Sequence, residues 1–463
     1  MPKTPKKNFE QYQDFLARLF DAEANMEGLE KKAPKKDNEL AYMSKTITFQ
    51  LTDACNLCCS YCYQINKGKR VMSFETAKEF VELLIKESYD EDSYVYIGTT
   101  PAIIIEFIGG EPLLETKLMT DIIDYVRYRL IQEHHPWAQY VLFSLISNGV
   151  RYFEDDVQKM IQKNNDRLSF GISLDGCKEL HDMCRVFPDG VTGSYDLAVA
   201  GCKHYMKNYN SKMLTKMTIA PENVTWIYKA IKNLINLGYE TIHCNCVYEE
   251  GWTVEHATIL YNEFKKVSDY LIENNLYNDI FISMLNDENG VPLNETENKN
   301  YCGSTGCMLA CDPDGIICPC IRFMKSSLGE ELGDFSLGDV KHGIGKLPEH
   351  KERINILDNI SRRSQSTDEC WNCPIATGCG WCTAHNYQAT GNPDIRCTYI
   401  CWMHRARSLA CVYHWNKVYE KNNEDIGDHF PMNLQEEYIL QIITEEEYKM
   451  LKNLIRKRLG DDV

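Results

Sequence analysis

The chain has no stretch of about 18 or more uninterrupted apolar residues, so no membrane-spanning helix is expected. Its start, Met1-Pro2-Lys3-Thr4-Pro5-Lys6-Lys7, is basic but leads into no apolar core, which argues against a secretory signal. Positive charge is scarce: 50 Lys and Arg face 67 Asp and Glu, a formal net charge of −17. A general nucleic-acid binder needs cations to displace counterions from phosphates, so that class is set aside. A cytoplasmic protein is expected, with neither nucleic acid nor membrane as partner, and any charged partner would be a basic peptide segment. No internal repeat and no low-complexity tract is visible. Hydrophobic residues make up 44% of 463, enough for packed cores in two or three domains.

Cysteine, by contrast, is abundant, with 21 residues. Without an export signal, extracellular disulfides are disfavoured. Zinc in C-x2-C pairs and iron–sulfur clusters are both open readings. The run Cys55-Asn56-Leu57-Cys58-Cys59-Ser60-Tyr61-Cys62 contains C-x3-C-x2-C at Cys55, Cys59 and Cys62. A structural zinc site would more often show paired C-x2-C units. The four irons of a cubic [4Fe–4S] cluster normally take four cysteines, so three thiolates leave one iron open to a ligand. Cys58 is expected to be a packed thiol beside the cluster.

Periodicity places this run in an α/β frame. Strands are expected at Thr46–Leu51, Ala102–Ile108, Val141–Ile146, Leu168–Leu174, Leu214–Ile219 and Thr241–Val247. Helices alternate with them at Phe74–Lys86, Leu118–Gln132, Val157–Asn164, Tyr195–Tyr205, Val224–Leu237 and Val254–Asn275. Six β–α units imply a parallel sheet bent into a partial (β/α)6 barrel, with chemistry at the C-terminal strand ends. The cysteine run follows strand one at that end. The expected organisation is an N-terminal helix (Phe9–Met26) and linker in 1–44, the barrel in 45–250, a helical bridge in 251–300, a cysteine-rich region in 301–401 and C-terminal helices in 402–463. The cysteine-rich part has little periodicity, so metal is expected to supply its folding energy.

The other strand ends are also unusual. Strand two runs into Gly109-Gly110-Glu111-Pro112, strand three into Ser147-Asn148-Gly149, and strand four into Ser173-Leu174-Asp175-Gly176. The glycines suit close backbone approach to a ligand, and the carboxylate beyond them suits an ammonium group. Each segment alone is an ordinary turn. Together with the cysteine run they resemble the radical S-adenosylmethionine (SAM) enzymes. The resemblance implies that Cys55, Cys59 and Cys62 hold [4Fe–4S] and that the open iron chelates the amino and carboxylate groups of SAM. It also implies that Gly109, Gly110, Glu111 and Pro112 contact the methionine amine, and that Ser147, Asn148, Ser173 and Asp175 contact ribose and carboxylate. Tyr61 is placed beside the open iron. Arg185, in His181-Asp182-Met183-Cys184-Arg185, pairs with the SAM carboxylate or makes a surface salt bridge. His181 either acts near the site or is a solvated loop residue.

Downstream, Cys302, Gly315 and Cys320 give C-x12-G-x4-C, and Cys370, Cys373, Cys379 and Cys382 give C-x2-C-x5-C-x2-C. With Cys397 and Cys401 after them, this region resembles a SPASM domain, which houses two auxiliary [4Fe–4S] clusters. The family pattern has three residues between the last two cysteines of the four-cysteine run, where this chain has Gly380-Trp381. The resemblance implies a first auxiliary cluster on Cys302, Cys320 and Cys382, with Cys307 as a possible fourth ligand. It implies a second on Cys370, Cys373 and Cys379, closed by Cys401 with Cys397 as competitor. Cys311 and Cys318 are spare thiols or rivals in the first hairpin.

In that family a 5′-deoxyadenosyl radical abstracts a substrate hydrogen. Relatives that oxidise cysteine or serine to formylglycine carry an aspartate directly after the last hairpin cysteine. Here Cys320 is followed by Ile321-Arg322. Met308 to Phe323 instead resembles maturases of precursors with Cys-x-x-x repeats, which implies thioether crosslinks in a leader-bearing, cysteine-containing precursor peptide. C–C crosslinking, epimerisation, dehydrogenation and formylglycine formation are the alternatives, as is a non-catalytic iron–sulfur or zinc protein. The expected electron donor is of flavodoxin or ferredoxin type. Some 44 residues before strand one are too few for a winged-helix leader module. Leader recognition then falls to the N-terminal helix, the barrel mouth or a separate protein. Tyr248 and Glu249, after strand six, are candidates for lining a peptide channel.

Overall fold

Thr46-Ile47-Thr48-Phe49 alternates β-branched and aromatic residues and forms the centre of β1 (Lys45–Gln50), with Ile47 and Phe49 fully buried. The computed structural model describes residues 44–459, except 211–212, 214, 295–297, 299, 301 and 423–428. The helix expected at Phe9–Met26 lies outside the described residues. β2 (Ile103–Ile108), β3 (Val141–Ser147) and β4 (Leu168–Ile172) follow β1 in parallel register. β5 (Thr215–Ile219), β6 (Thr241–Cys246) and β7 (Phe281–Ile282) form a second parallel sheet.

Helices follow the strands as the periodicity requires. These are α1 (Phe74–Glu87), α2 (Thr116–Gln132), α3 (Asp155–Asn164), α4 (Tyr195–Asn208), α5 (Ile227–Asn236) and α6 (Val254–Glu273). Ser73 caps α1 by accepting from the Thr76 backbone N–H. The start expected at Val224 is instead a 3-10 segment, Pro221–Trp226, because Pro221 and the Asn223 side chain favour a tight turn.

Alternate residues of β2 to β5 are buried beneath the helices. The intervening residues face the concave side and stay accessible. Leu142 and Ile146 of β3 are 48% and 45% exposed although they lie on an internal strand. The interior of a closed eightfold barrel is filled by side chains. This one is open. The gap between β4 and β5 is bridged by Thr215 Oγ1 donating to Leu174 O and by Thr218 N donating to Asp175 Oδ1, each at 3.1 Å.

The cysteine-rich region does not stand apart. β8 (Met308–Cys311) pairs in parallel with β1, Thr46 opposite Met308, and forms a hairpin with β9 (Ile316–Cys318). β10 (Gly338–Asp339) and β11 (Gly343–Ile344) complete an eight-stranded sheet that runs from the barrel through this region. At the β8–β9 turn, Gly315 has φ +85°, and a Cβ there would meet Val340 Cγ2 at 2.7 Å. Cys311 and Cys318 are buried in the hairpin as core residues. The hairpin of this region is thus built onto barrel strand β1, a support beside the folding energy expected from metal.

Four longer helices finish the chain: α7 (Pro348–Asn359), α8 (Thr383–Thr390), α9 (Cys401–Asn422) and, after one further short helix at 436–442, α10 (Glu445–Leu459). α9 lies along α6, where Tyr413 Oη donates to Asp269 at 2.6 Å and Ser268 Oγ meets His414 Nδ1 at 2.9 Å. No described helix is long and apolar enough to cross a membrane.

Candidate active site

The loop after β1 carries Cys55, Cys59 and Cys62, all half-buried. Backbone bonds fix it to two other segments. Gly110 N donates to Thr52 O at 2.9 Å, and Glu111 N to Ala54 O at 2.8 Å. Cys58 N donates to Val186 O at 2.7 Å, and Ser60 N to Cys184 O at 3.0 Å. Cys58 itself is exposed, not the packed thiol expected, because the loop is anchored here through its backbone.

The glycines of Gly109-Gly110 serve this same contact. A Cβ on Gly110 would lie 2.3 Å from Ala54 O. Their close approach is therefore to the cysteine loop. Glu111 is equally committed to the protein. Its Oε1 accepts from Leu113 N at 3.0 Å and Ser147 Oγ at 2.7 Å, and its Oε2 from Asn148 N at 2.8 Å. Burial pushes its carboxyl up against these bonds. Glu111 thus ties Pro112 and the Ser147-Asn148 turn together. Asn148 Nδ2 reaches Asn56 Oδ1 at 2.7 Å. Ser173 joins through its backbone, its N–H donating to Ser147 O at 2.8 Å.

Asp175 is fully buried and accepts from Arg185 Nε at 2.6 Å, and from Tyr61 Oη. Arg185 also lies over the Tyr61 ring, 5.4 Å from its centre. The pair is enclosed, which corrects the surface salt bridge considered for Arg185. His181 is wholly buried on a short helix, with Nε2 3.0 Å from Ser194 Oγ, and so is no solvated loop residue. Tyr61, Asp175, Arg185, Ser147, Asn148, Glu111 and the cysteine loop form one connected wall at the C-terminal strand ends.

The downstream cysteines fall into two groups. Burial pushes the Cys320 thiol up, and Cys302 and Cys382 beside it push the same way. Cys307 is raised by burial and adjoins Cys302. The second group lines a cavity of about 270 Å³: Cys370, Cys373, Cys379, Cys397 and Cys401. Burial raises Cys401 to about 12, with Cys379 and Cys370 as its next neighbours, whereas Cys397 is raised by burial and by Glu250.

Among the described residues no three His, Cys, Asp or Glu side chains already stand at metal-holding separation. The donor sets nevertheless fit iron–sulfur clusters. Each group consists of thiols gathered at a loop, and one lines a cavity of its own. Burial holds Cys55 at about 11, so binding an iron would displace its proton.

Tyr63 adjoins the first two cysteine groups. Burial raises its hydroxyl strongly, with the charges of Cys62, Glu106, Arg322 and Cys320 around it. Arg322 sits over Tyr63 at 5.6 Å and over Tyr248 at 5.9 Å, and pairs with Glu249. Tyr63, Glu106 and Lys216 escaped the sequence reading. A charged residue alternating with buried ones in a strand was the available signal for the last two.

Residues 49–260 match the family described as the Radical SAM superfamily. These residues are a radical SAM domain. The relatives of the chain include proteins named as maturating enzymes, maturases and maturation proteins. The chain is 23% identical over 362 residues to the cysteine-type anaerobic sulfatase-maturating enzyme of Clostridium novyi, covering 74% of this chain and 89% of that one. It is 21% identical over 344 residues to the antilisterial bacteriocin subtilosin biosynthesis protein AlbA of Bacillus subtilis, covering 72% and 66%. The fold is shared with anSMEcpe, solved with bound AdoMet and the Cp18Cys peptide. That match has TM-score 0.55 and 16% identity, covering 82% of this chain and 99% of anSMEcpe.

Proposed function

We propose that the enzyme modifies a ribosomally made precursor peptide, joining a cysteine sulfur to a carbon of an acceptor residue as a thioether. The observation that carries the reading is Tyr63, whose hydroxyl has both Cys62 of the first cysteine loop and Cys320 of the second group among its charged neighbours. Both groups therefore lie within electrostatic reach of one side chain, a proximity that suits a peptide carbon and a peptide sulfur held near each other. The residue two beyond Cys320 is Arg322, already neutralised by Glu249, and no aspartate follows the cysteine. That disfavours formylglycine formation. C–C crosslinking, epimerisation and dehydrogenation are the competing outcomes.

We assign [4Fe–4S] clusters to Cys55, Cys59 and Cys62; to Cys302, Cys320 and Cys382, with Cys307 as candidate fourth ligand; and to Cys370, Cys373, Cys379 and Cys401. When bound, the first cluster and SAM supply a 5′-deoxyadenosyl radical that takes a hydrogen from the substrate. The protein's own residues hold and enclose. Glu111 locks two strand-end turns against the cysteine loop. Asp175 fixes Arg185 and Tyr61 in the wall facing the interior. The Tyr63 hydroxyl neighbours both Cys62 and Cys320. Electrons come from a flavodoxin- or ferredoxin-type donor in this reading, and the leader is held by the barrel mouth, the N-terminal segment or a separate protein.

The test is anaerobic reconstitution followed by turnover of cysteine-containing peptides encoded beside the gene. About twelve irons per chain, four per cluster, are expected. Tandem mass spectrometry should show loss of two hydrogens per ring with the cysteines blocked to alkylation. Product peptides whose thiols all alkylate would exclude the thioether.

A further inference from the structure

The barrel interior contains one opposed pair of charges that the reaction scheme does not use. Lys216 is the second residue of β5, between buried Thr215 and Met217, and its side chain is accessible on the concave side. Glu106 lies on β2, with Oε2 accepting from Thr48 Oγ1 at 2.7 Å. β2 and β5 belong to different sheets, with β3 and β4 between them in the chain. The charge of Glu106 nevertheless favours the Lys216 ammonium, so the two side chains, each on the accessible face of its strand, lie within electrostatic reach.

They do not touch. Among the described residues no salt bridge within 4.0 Å and no hydrogen bond is formed by the Lys216 side chain. The other two cations that it senses are already paired, Arg185 with Asp175 and Arg322 with Glu249. Burial lowers the pKa of the Lys216 ammonium. Leu142 and Ile146 line the interior on β3, and Ser169 and Gly171 on β4 leave room beside them. The space is thus apolar along one wall, with a donor on one side and a carboxylate acceptor on the other.

Resting on the reading of a peptide substrate, we infer that Lys216 and Glu106 clasp one amide of the peptide. The ammonium donates to the amide carbonyl and the carboxylate accepts from the amide N–H. Charge-assisted hydrogen bonds of this kind are stronger than neutral ones and fix direction. A carboxylate ligand would use Lys216 alone and would be repelled by Glu106. The amino-acid end of SAM belongs at the cysteine loop. Lys216 lies three residues below the end of β5, roughly 10 Å deeper at the usual strand rise. The clasp sets which residue of the peptide lies under the radical, so Lys216 and Glu106 are positioning residues.

The experiment uses the reconstituted holoenzyme and the precursor peptide that the wild type modifies. Lys216→Met and Glu106→Gln are each expected to raise the peptide KM about tenfold with kcat within about threefold. Lys216→Arg should restore most of the loss. Equilibrium dialysis with SAM reads the other source of a polar ligand: a matching tenfold loss of SAM affinity in Lys216→Met would overturn the clasp. So would an unchanged KM in both variants. If neutralising the acidic side chains of the peptide reproduces the Lys216→Met effect, Lys216 reads a carboxylate, and the amide assignment falls. A wild-type enzyme that cleaves SAM but modifies no such peptide would instead sink the function reading, and the clasp with it.

Discussion

Arg185 Nε donates to Asp175 Oδ2 at 2.6 Å, with Asp175 wholly enclosed and the Arg185 side chain 12% exposed. Tyr61 of the cysteine loop and Thr218 N of β5 donate to the same carboxylate. Burial alone would raise the Asp175 pKa, but Arg185, His181 and Tyr61 together outweigh that and hold it below the ordinary range. One carboxylate therefore joins the cysteine loop to the far side of the gap between the two sheets. Asp175→Ala leaves Arg185 buried without a counter-charge, which costs about 3–5 kcal/mol. Urea denaturation of the cluster-free protein measures it, and a loss below about 1 kcal/mol would show that the pair does not hold the wall together.

Gly110→Ala is a test of what the strand-two glycines are for. The added Cβ would fall 2.3 Å from Ala54 O, a backbone atom that cannot turn aside. The cysteine loop must move to admit it. Iron bound by the first cluster should fall by half or more, with the auxiliary sites still loaded. Retained iron and retained SAM affinity together would show that the glycines are needed for something other than seating this loop.

Much of this arrangement was legible from spacing. The strand-end segments could be placed because hydrophobic runs gave six β–α units and therefore one common edge. The destination of Glu111 was not legible: it bonds Ser147 Oγ and Asn148 N, 36 and 37 residues on, and no local pattern reports such a partner. The same is true of Arg185, whose burial depends on how the sheets meet at Asp175. The parallel pairing of β8 with β1 was hidden because Met308–Cys311 is only four residues long, and its partner lies some 260 positions earlier. Short strands are stabilised by their neighbours, so their own sequence carries little signal.

His135 predicts an acid limit on stability. Its Nδ1 accepts from Trp137 N at 3.1 Å, so Nε2 carries the proton toward Ser88 Oγ at 2.7 Å, and Ser88 donates on to Ile85 O. Burial lowers its pKa to about 4 from 6.5. The unfolded chain takes up this proton first, so the contribution is full above pH 6.5 and is lost as pH falls toward 4. The difference corresponds to about 3 kcal/mol at most. His135→Gln can keep an acceptor and a donor but does not titrate. Stability curves from pH 7.5 down to about 4.5 should be visibly flatter for the variant, and parallel curves would count against the buried neutral imidazole.

The second auxiliary site separates Cys401 from Cys397 by a direct count of iron. Both line the same cavity, so proximity alone does not choose. Their neighbours do. After burial, Cys379 and Cys370 raise the Cys401 thiol and Arg405 and Arg396 favour its thiolate, while Cys397 has Glu250 beside it, an anion that opposes a thiolate. Cys401 also begins α9, which packs on α6, so its backbone is held by a long helix. A ligand on a rigid element loses less freedom when it binds metal. Cys401→Ala should therefore remove up to about four of about twelve irons. Cys397→Ala should keep them, with the cluster's electron paramagnetic resonance signal unchanged in shape. The opposite pattern would transfer the fourth ligand to Cys397 and make Cys401 a helix-start residue packed beside the cluster.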